Sequence, residues 1–179
     1  DKDSSTPLWS SSAGSAEGVK ISHDGEYIAL GTNSYTKLFG KDSSTPIWTK
    51  TIPYTVTIDI SGKGEYVVVI AGNNNDLYLY NTDGDEVWEY DTSDYMLGAS
   101  ISRDASYIVL GSQNSKIRLF SPDSNIPIWT NSTITNFPSV KISADGKYIA
   151  GIASDRNVYF FGNNSNVPIS QYSHGEYSW

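Results

Sequence analysis

Apolar and polar residues alternate along Val19-Lys-Ile-Ser22, the period-2 pattern of a strand with one buried face. A few residues on, Tyr27-Ile-Ala-Leu-Gly31 is continuously apolar, which predicts a strand buried on both faces between neighbouring sheets. A third stretch, Thr36-Lys-Leu-Phe39, precedes a turn rich in Asp, Ser, Thr and Pro. Beyond it, Pro46-Ile-Trp48 reads as an outer strand. Pro46, like Pro127 later in the chain, suits an edge, where a missing N–H breaks no inner ladder. Between the first two strands, Asp24-Gly25 supplies a tight turn, because glycine takes positive φ without a Cβ clash. No stretch of ten or more residues carries helical periodicity, so the expectation is all-β.

This order of strands recurs along the chain. Ile21-Ser-His-Asp-Gly-Glu-Tyr27 returns as Ile60-Ser-Gly-Lys-Gly-Glu-Tyr66, Ile101-Ser-Arg-Asp-Ala-Ser-Tyr107 and Ile142-Ser-Ala-Asp-Gly-Lys-Tyr148, with the tyrosines 39, 41 and 41 residues apart. A second marker runs out of phase with the first: Trp9, Trp48, Trp88 and Trp129 are spaced by 39, 40 and 41 residues. Lys2-Asp-Ser-Ser-Thr-Pro-Leu-Trp9 is nearly repeated as Lys41-Asp-Ser-Ser-Thr-Pro-Ile-Trp48. Two independent markers on one period of about forty residues predict four-stranded antiparallel blades packed face to face, a β-propeller. The units are expected at 18–55, 56–96, 97–138 and 139–171, preceded by a leading outer strand within 1–17 and followed by a tail at 172–179.

The Ile-Ser-x-Asp-Gly-x-Tyr-Ile motif resembles WD40-like repeats, and the Trp after the third-strand turn resembles PQQ-like repeats. The resemblance covers nearly the whole chain and extends to archaeal and bacterial surface propellers. The Trp-Asp dipeptide of WD40 proteins is absent; the third strands end in Leu-Phe, Leu-Tyr or Phe-Phe. Relatives of this kind close as rings of seven or eight blades. Four blades leave three arrangements open: a compact four-bladed ring, part of a larger ring, or association with other copies. Association or truncation is expected over the solitary ring, because two open apolar faces call for a partner. The first residue is Asp, so a processed protein or a piece of a longer chain is expected.

Composition narrows the function classes. The 179 residues carry a formal charge of −8, which offers no basic stripe for nucleic acid and disfavours an anionic membrane surface. The longest apolar run, Tyr66 to Ala71, is far short of the ~20 residues that cross a bilayer as a helix. Cysteine is absent, which removes disulfides, thiolate metal sites and cysteine nucleophiles. Comparison among the repeats separates candidates from scaffold. His23 stands alone in a turn and His174 alone in the tail, so a histidine triad or zinc site has no support. Asp24, Asp104 and Asp145 recur at one turn, and Asp3, Asp42 and Asp123 at another, which marks them as turn-capping residues. Asn81-Thr-Asp-Gly-Asp-Glu86 slightly resembles a calcium loop but lacks its distal Glu, and Glu86 and Glu89 flank Trp88 on an outer strand. No catalytic residue, metal site or cofactor is expected.

Binding is the better class. The loops between second and third strands and those joining consecutive units share one end of a propeller, and they are the parts that do not repeat. Tyr35, Asn74, Asn114 and Arg156 come from the first set, and Tyr54, Tyr95 and Phe137 from the second. Amide groups that donate and accept, beside aromatic faces, suit a glycan or an extended peptide. Asn131-Ser-Thr133 and Asn163-Asn-Ser165 are sequons placed in expected turns, giving Asn131 and Asn163 as glycosylation candidates. The leading expectation is a non-enzymatic structural or interaction propeller, extracellular or in the cell envelope, that self-assembles through unclosed blade edges with other copies or with further blades of a longer chain. The alternative is a ligand-binding module recognising a glycan or peptide on the loop face.

Overall fold

A computed structural model describes residues 5–72, 74–91, 94–132 and 136–173. Every helical or extended element among them is a strand, and the strands form four antiparallel sheets in simple sequential order. The first blade is β1 (Ala16–Ile21), β2 (Tyr27–Thr32), β3 (Thr36–Gly40) and β4 (Pro46–Lys50). The second is β5 (Thr55–Ile60), β6 (Tyr66–Ala71), β7 (Leu77–Asn81) and β8 (Glu86–Tyr90). The third is β9 (Met96–Ile101), β10 (Ile108–Ser112), β11 (Ile117–Phe120) and β12 (Trp129–Asn131). The fourth is β13 (Ser139–Ile142), β14 (Tyr148–Ile152), β15 (Asn157–Gly162) and β16 (Ser170–Ser173). Thr55 and Met96 thus already belong to the inner strands of the following blades.

Two strand assignments differ from expectation. Thr6–Trp9 is not a strand, because the first sheet is already complete with β1–β4 and offers this segment no ladder. Trp9 is instead held by its side chain, which stacks on Phe39 with ring centroids 5.5 Å apart and donates its indole N–H to Lys41 O at 2.7 Å, the place that Trp88 and Trp129 take on the blades after theirs. The fourth strand of the last blade starts at Ser170 and runs to Ser173, into the expected tail. Pro168 has no N–H, so pairing opens only at Ile169, whose N–H donates to Phe160 O at 2.7 Å.

The turn between first and second strands is built alike in every blade. Ser22 Oγ donates to Asp24 Oδ1 at 2.6 Å and accepts from Tyr27 N–H at 3.0 Å. Ser102 with Asp104 and Ser143 with Asp145 repeat this geometry. In the second blade Lys63 stands where the Asp would be, and Glu65 reaches back to accept from Ser61 Oγ at 2.7 Å and from Lys63 N–H at 3.1 Å, while Ser61 Oγ still accepts from Tyr66 N–H at 3.0 Å. The Ser143 hydroxyl, with the Lys147 backbone N–H, holds the Asp145 carboxyl down at about 2.

The blades pack in sequence, β1 on β5, β5 on β9 and β9 on β13, and they do not close into a ring among the described residues. Each joint buries one apolar cluster. Ala29, Leu38 and Trp48 meet Ile58, Ile60, Val67, Val69 and Tyr80 at the first joint. Val68, Ile70, Leu79 and Trp88 meet Ala99, Ile101, Ile108, Leu110 and Phe120 at the second. At the third, Val109, Ile117 and Leu119 meet Phe137, Val140, Ile149 and Phe161. Two aromatic contacts recur across these joints. The outer-strand Trp reaches over the next blade's third strand, with ring centroids 5.7 Å apart for Trp48–Tyr80, 5.8 Å for Trp88–Phe120 and 5.8 Å for Trp129–Phe161. The Trp88 and Trp129 indole N–H groups donate to Pro122 O at 2.7 Å and Asn163 O at 2.9 Å. Trp48 Nε1 is buried without an acceptor, because the shorter Asn81–Asp85 turn places Gly84 against its ring instead.

The second contact puts a tyrosine over the neighbouring turn. A Cβ on Gly64, whose φ is +74°, would lie 2.3 Å from Tyr27 Cδ2, and one on Gly146, at φ +66°, would lie 2.6 Å from Tyr107 Cδ2. Gly25 has the same left-handed backbone, φ +77°, with nothing within 4 Å. Gly64→Ala is therefore expected to cost about 2–4 kcal/mol, combining left-handed strain with displacement of a packed ring. Gly25→Ala, measured on the dilute chain, should cost only the strain of about 1–2 kcal/mol. Urea unfolding midpoints of the two variants test this, and equal losses would contradict it.

Candidate functional site: the loop face

Antiparallel order places the loops between second and third strands, and the connections between blades, at one end of every sheet. Backbone hydrogen bonds tie the two sets together. Asn33 N–H donates to Ser15 O, Gly72 to Tyr54 O, Gln113 to Tyr95 O and Ser154 to Asn136 O, at 2.7–3.1 Å. Tyr54 N–H also donates to Asn33 O at 3.0 Å, which carries the contact from one blade to the next. This ladder presents Tyr35, Tyr54 and Tyr95 to solvent at 45%, 63% and 45% exposure. Tyr54 sits at φ 56° and Arg156, also exposed, at φ 70°. Lys37 Nζ lies 5.8 Å from the centre of the Tyr35 ring.

The same ladder corrects one candidate. Asn136, not Phe137, occupies the position of Tyr54 and Tyr95. Phe137 is one residue further on, so its side chain points the other way, fully buried between the third and fourth blades and edge-on to Tyr159. It cannot meet a ligand on this face. Two amides are also committed elsewhere: Asn74 Nδ2 donates to Tyr78 Oη at 2.9 Å, and Asn114 Nδ2 donates to Asp94 Oδ1 at 2.8 Å.

Of the sequon residues, Asn131 is the last residue of β12 rather than part of a turn. It is 5% exposed and donates its amide to Asn166 O at 2.7 Å, so the folded chain does not present it for glycosylation. Asn163 follows β15 in a half-buried turn whose carbonyl receives the Trp129 indole. His23 is exposed at the opposite end, where a cleft of about 600 Å³ is bordered by the Asp-containing turns, Lys63 and Arg103. His174 lies outside the described residues. Asn81 and Asp85 bond each other across the β7–β8 turn, Asp85 N–H to Asn81 Oδ1 at 2.8 Å, which occupies the groups that resembled a calcium loop. Among the described residues no three His, Asp or Glu side chains converge as a metal cluster.

Two charged groups near this face are absent from the expected set. Asp94, buried at 3% exposure, pairs with the equally buried Arg118 and with Lys116 Nζ at 3.1 Å. Arg118 also stacks over Tyr90, 5.7 Å from its ring centre. Burial alone would raise the Asp94 carboxyl, but Arg118, Asn114 and Lys116 outweigh it and hold it at about 2. Asp94 and Arg118 are singular in the repeat: Pro53 aligns with the first, and Lys37, Tyr78 and Tyr159 with the second. Opposite charges at two repeat-unique positions were the available signal. On the second blade, Asp76 is buried with Oδ1 unpartnered, and burial together with Glu89 raises its carboxyl to about 6. Glu89 comes close to Asp76 because the β7–β8 ladder sets it opposite Tyr78, two residues further on.

The family model described as outer membrane protein assembly factor BamB, a PQQ-type repeat model, matches residues 1–179. No curated protein matches the chain.

The two carboxyls act on stability with opposite signs. The depressed Asp94 carboxyl stabilises the fold above pH about 4, and that contribution is lost as pH falls through about 2. The raised Asp76 carboxyl binds its proton more tightly when folded, so stability declines as pH rises from about 4 through about 6. Asp76→Asn is expected to stabilise the chain at pH 8 by about 1–3 kcal/mol and to flatten the slope between pH 4 and 6. Denaturant titrations across pH check this; an unchanged slope would show that Asp76 is not the group responsible.

Proposed function

The chain belongs to the PQQ-type repeat family described as outer membrane protein assembly factor BamB, and from that premise we propose that it is a non-enzymatic interaction scaffold of the cell envelope or extracellular surface that joins copies of itself through its open blade faces. The observation that carries this reading is the composition of the two terminal faces. Val19 and Ile21 are each 63% exposed, although the aligned Ile58 and Ile60 are buried. Ile152 is 52% exposed, although the aligned Ile70 is fully buried. Interior side chains are thus retained where none of the described blades covers them, and water-exposed apolar area of that kind favours association. The cluster around Asp94 supports a scaffold rather than a reaction centre, since Arg118, Lys116 and the Asn114 amide all bond the Asp94 carboxylate.

A second reading rests on the exposed Tyr35, Tyr54 and Tyr95 rings: the loop face takes a glycan or an extended peptide. The Asn163 sequon remains the glycosylation candidate, tested by intact mass before and after deglycosylation.

Sedimentation of the purified chain over a hundredfold concentration range should show mass rising above one chain, with little dependence on salt because the contact is apolar. A single-chain mass throughout would remove the scaffold-by-self-assembly reading. Saturable binding to a glycan array, abolished by Tyr54→Ala with Tyr95→Ala, would favour the second reading instead.

A further inference from the structure

Each of the three joints sets one aspartate beside the aligned third-strand residues Tyr78, Arg118 and Tyr159, and the carboxylate is satisfied differently at each. At the second joint Asp94 pairs with Arg118 and with Lys116 Nζ. At the third, Asp155 Oδ2 accepts from Tyr159 Oη at 2.6 Å and Oδ1 accepts from Asn157 N–H at 3.0 Å. At the first, Tyr78 Oη reaches Asp76 Oδ2 only at 3.4 Å, and Asp76 Oδ1 is buried without a hydrogen bond. Asp76 is 5% exposed, so water does not serve that oxygen freely.

The surroundings of Asp76 are acidic where those of Asp94 are basic. Asp76 and Tyr78 align with Lys116 and Arg118, so the second blade carries no cation at either position. Lys50, at the end of β4, lies over the Tyr80 ring at 5.5 Å and makes no ion pair among the described residues. Glu89, opposite Tyr78 in the β7–β8 ladder, comes close to Asp76, and Asp91 adds to the negative field there. Glu89, Asp91 and Asn74 are exposed around the buried Asp76. Asn74 Nδ2 donates to Tyr78 Oη at 2.9 Å, and its Oδ1 has no hydrogen bond among the described residues. A cluster of exposed acids holds no ion by itself; the buried, unbonded Asp76 oxygen distinguishes this one.

We propose that this cluster binds one calcium ion between Asp76 and Glu89, with Asp91 and the Asn74 side-chain carbonyl as further oxygen donors. The donor set is all oxygen, without His or Cys, which selects a hard divalent cation. Calcium accepts irregular coordination, whereas magnesium demands a near-ideal octahedron. Among the described residues no three acidic side chains are already gathered as a metal cluster, so the ion itself draws in the exposed Glu89 and Asp91. That reorganisation sets the affinity at the weak end for calcium, with a Kd on the order of 10⁻⁴–10⁻³ M. The ion does for Asp76 what Arg118 does for Asp94. It also fixes the β6–β7 loop, whose Gly72 N–H donates to Tyr54 O at 2.7 Å, beside the exposed Tyr54 ring. The site lies within one chain and does not rest on self-assembly.

The experiment titrates the chelator-treated chain with calcium chloride at pH 8, read by calorimetry and by urea unfolding midpoints, against sodium chloride of equal ionic strength. One saturable site per chain is expected, with a midpoint that rises beyond the sodium control. Asp76→Asn and Glu89→Gln should each weaken calcium binding at least about tenfold, since even outer-shell partners of a metal are worth that much. Asp85→Asn, in the β7–β8 turn, should leave binding unchanged. Far-ultraviolet spectra check that each variant is folded, and Asp76→Asn is expected to be the more stable chain without calcium, so its lost response cannot be unfolding. A calcium response no larger than that of sodium would show only screening of the net charge of −8, and would overturn the site. Absence of saturation below about 10 mM, or binding that survives both Asp76→Asn and Glu89→Gln, would overturn it equally. Magnesium matching calcium at equal concentration would overturn the choice of ion.

Discussion

A blade of this protein has two apolar faces and can cover neither by itself. The second strand of each unit is apolar at successive positions, so both sides of the sheet need a neighbour. β6 and β10 show the requirement met: nearly every residue is buried, with blades on either hand. β2 and β14 carry the same kind of sequence, yet half or more of their residues are not fully buried, because among the described residues no blade lies against the outer side of the first or the fourth. Stability in such an array comes from the joints as much as from the sheets.

The joints tolerate variation where a bond can be rebuilt from another position and resist it where space is fixed. Glu65 replaces the missing turn Asp of the second blade because its longer side chain reaches back to the same serine hydroxyl and takes the Lys63 N–H in place of the N–H two residues after the Asp. Gly62 has no such latitude, since a Cβ there would meet Arg103 O of the next blade at 2.5 Å. The indole contact is intermediate: Trp48 keeps its ring packing but loses its acceptor, as a one-residue-shorter turn re-routes the receiving backbone.

The candidate site was partly legible beforehand. Tyr35, Tyr54 and Tyr95 could be placed on one face from strand count alone, because antiparallel order dictates which loops share an end. Phe137 could not be separated from them, since a one-residue offset in a connecting segment reverses the direction of a side chain and leaves composition unchanged. Asn131 failed similarly: its sequon is intact, but the ladder to β11 and the bond to Asn166 bury it. Asp76 and Glu89 are thirteen residues apart and meet only through β7–β8 pairing, so their mutual effect is a property of register.

Periodicity by itself determined the blade. Two markers, Ile-Ser-x-Asp-Gly-x-Tyr and the outer-strand Trp, set strand number, strand order and the chemistry of the first turn, because those depend on local alternation and on residues within one unit. Tertiary structure decided what the same motif does at each position in the array. Tyr27 and Tyr148 are equivalent in sequence, but one lies over Gly64 of the next blade and the other, half exposed, stacks on Phe160 of its own. Trp9, expected as part of a strand, is a docked side chain without a ladder, because the sheet beside it is complete and only the indole slot is vacant. Burial and vacancy are relations between blades, and no repeat carries them alone.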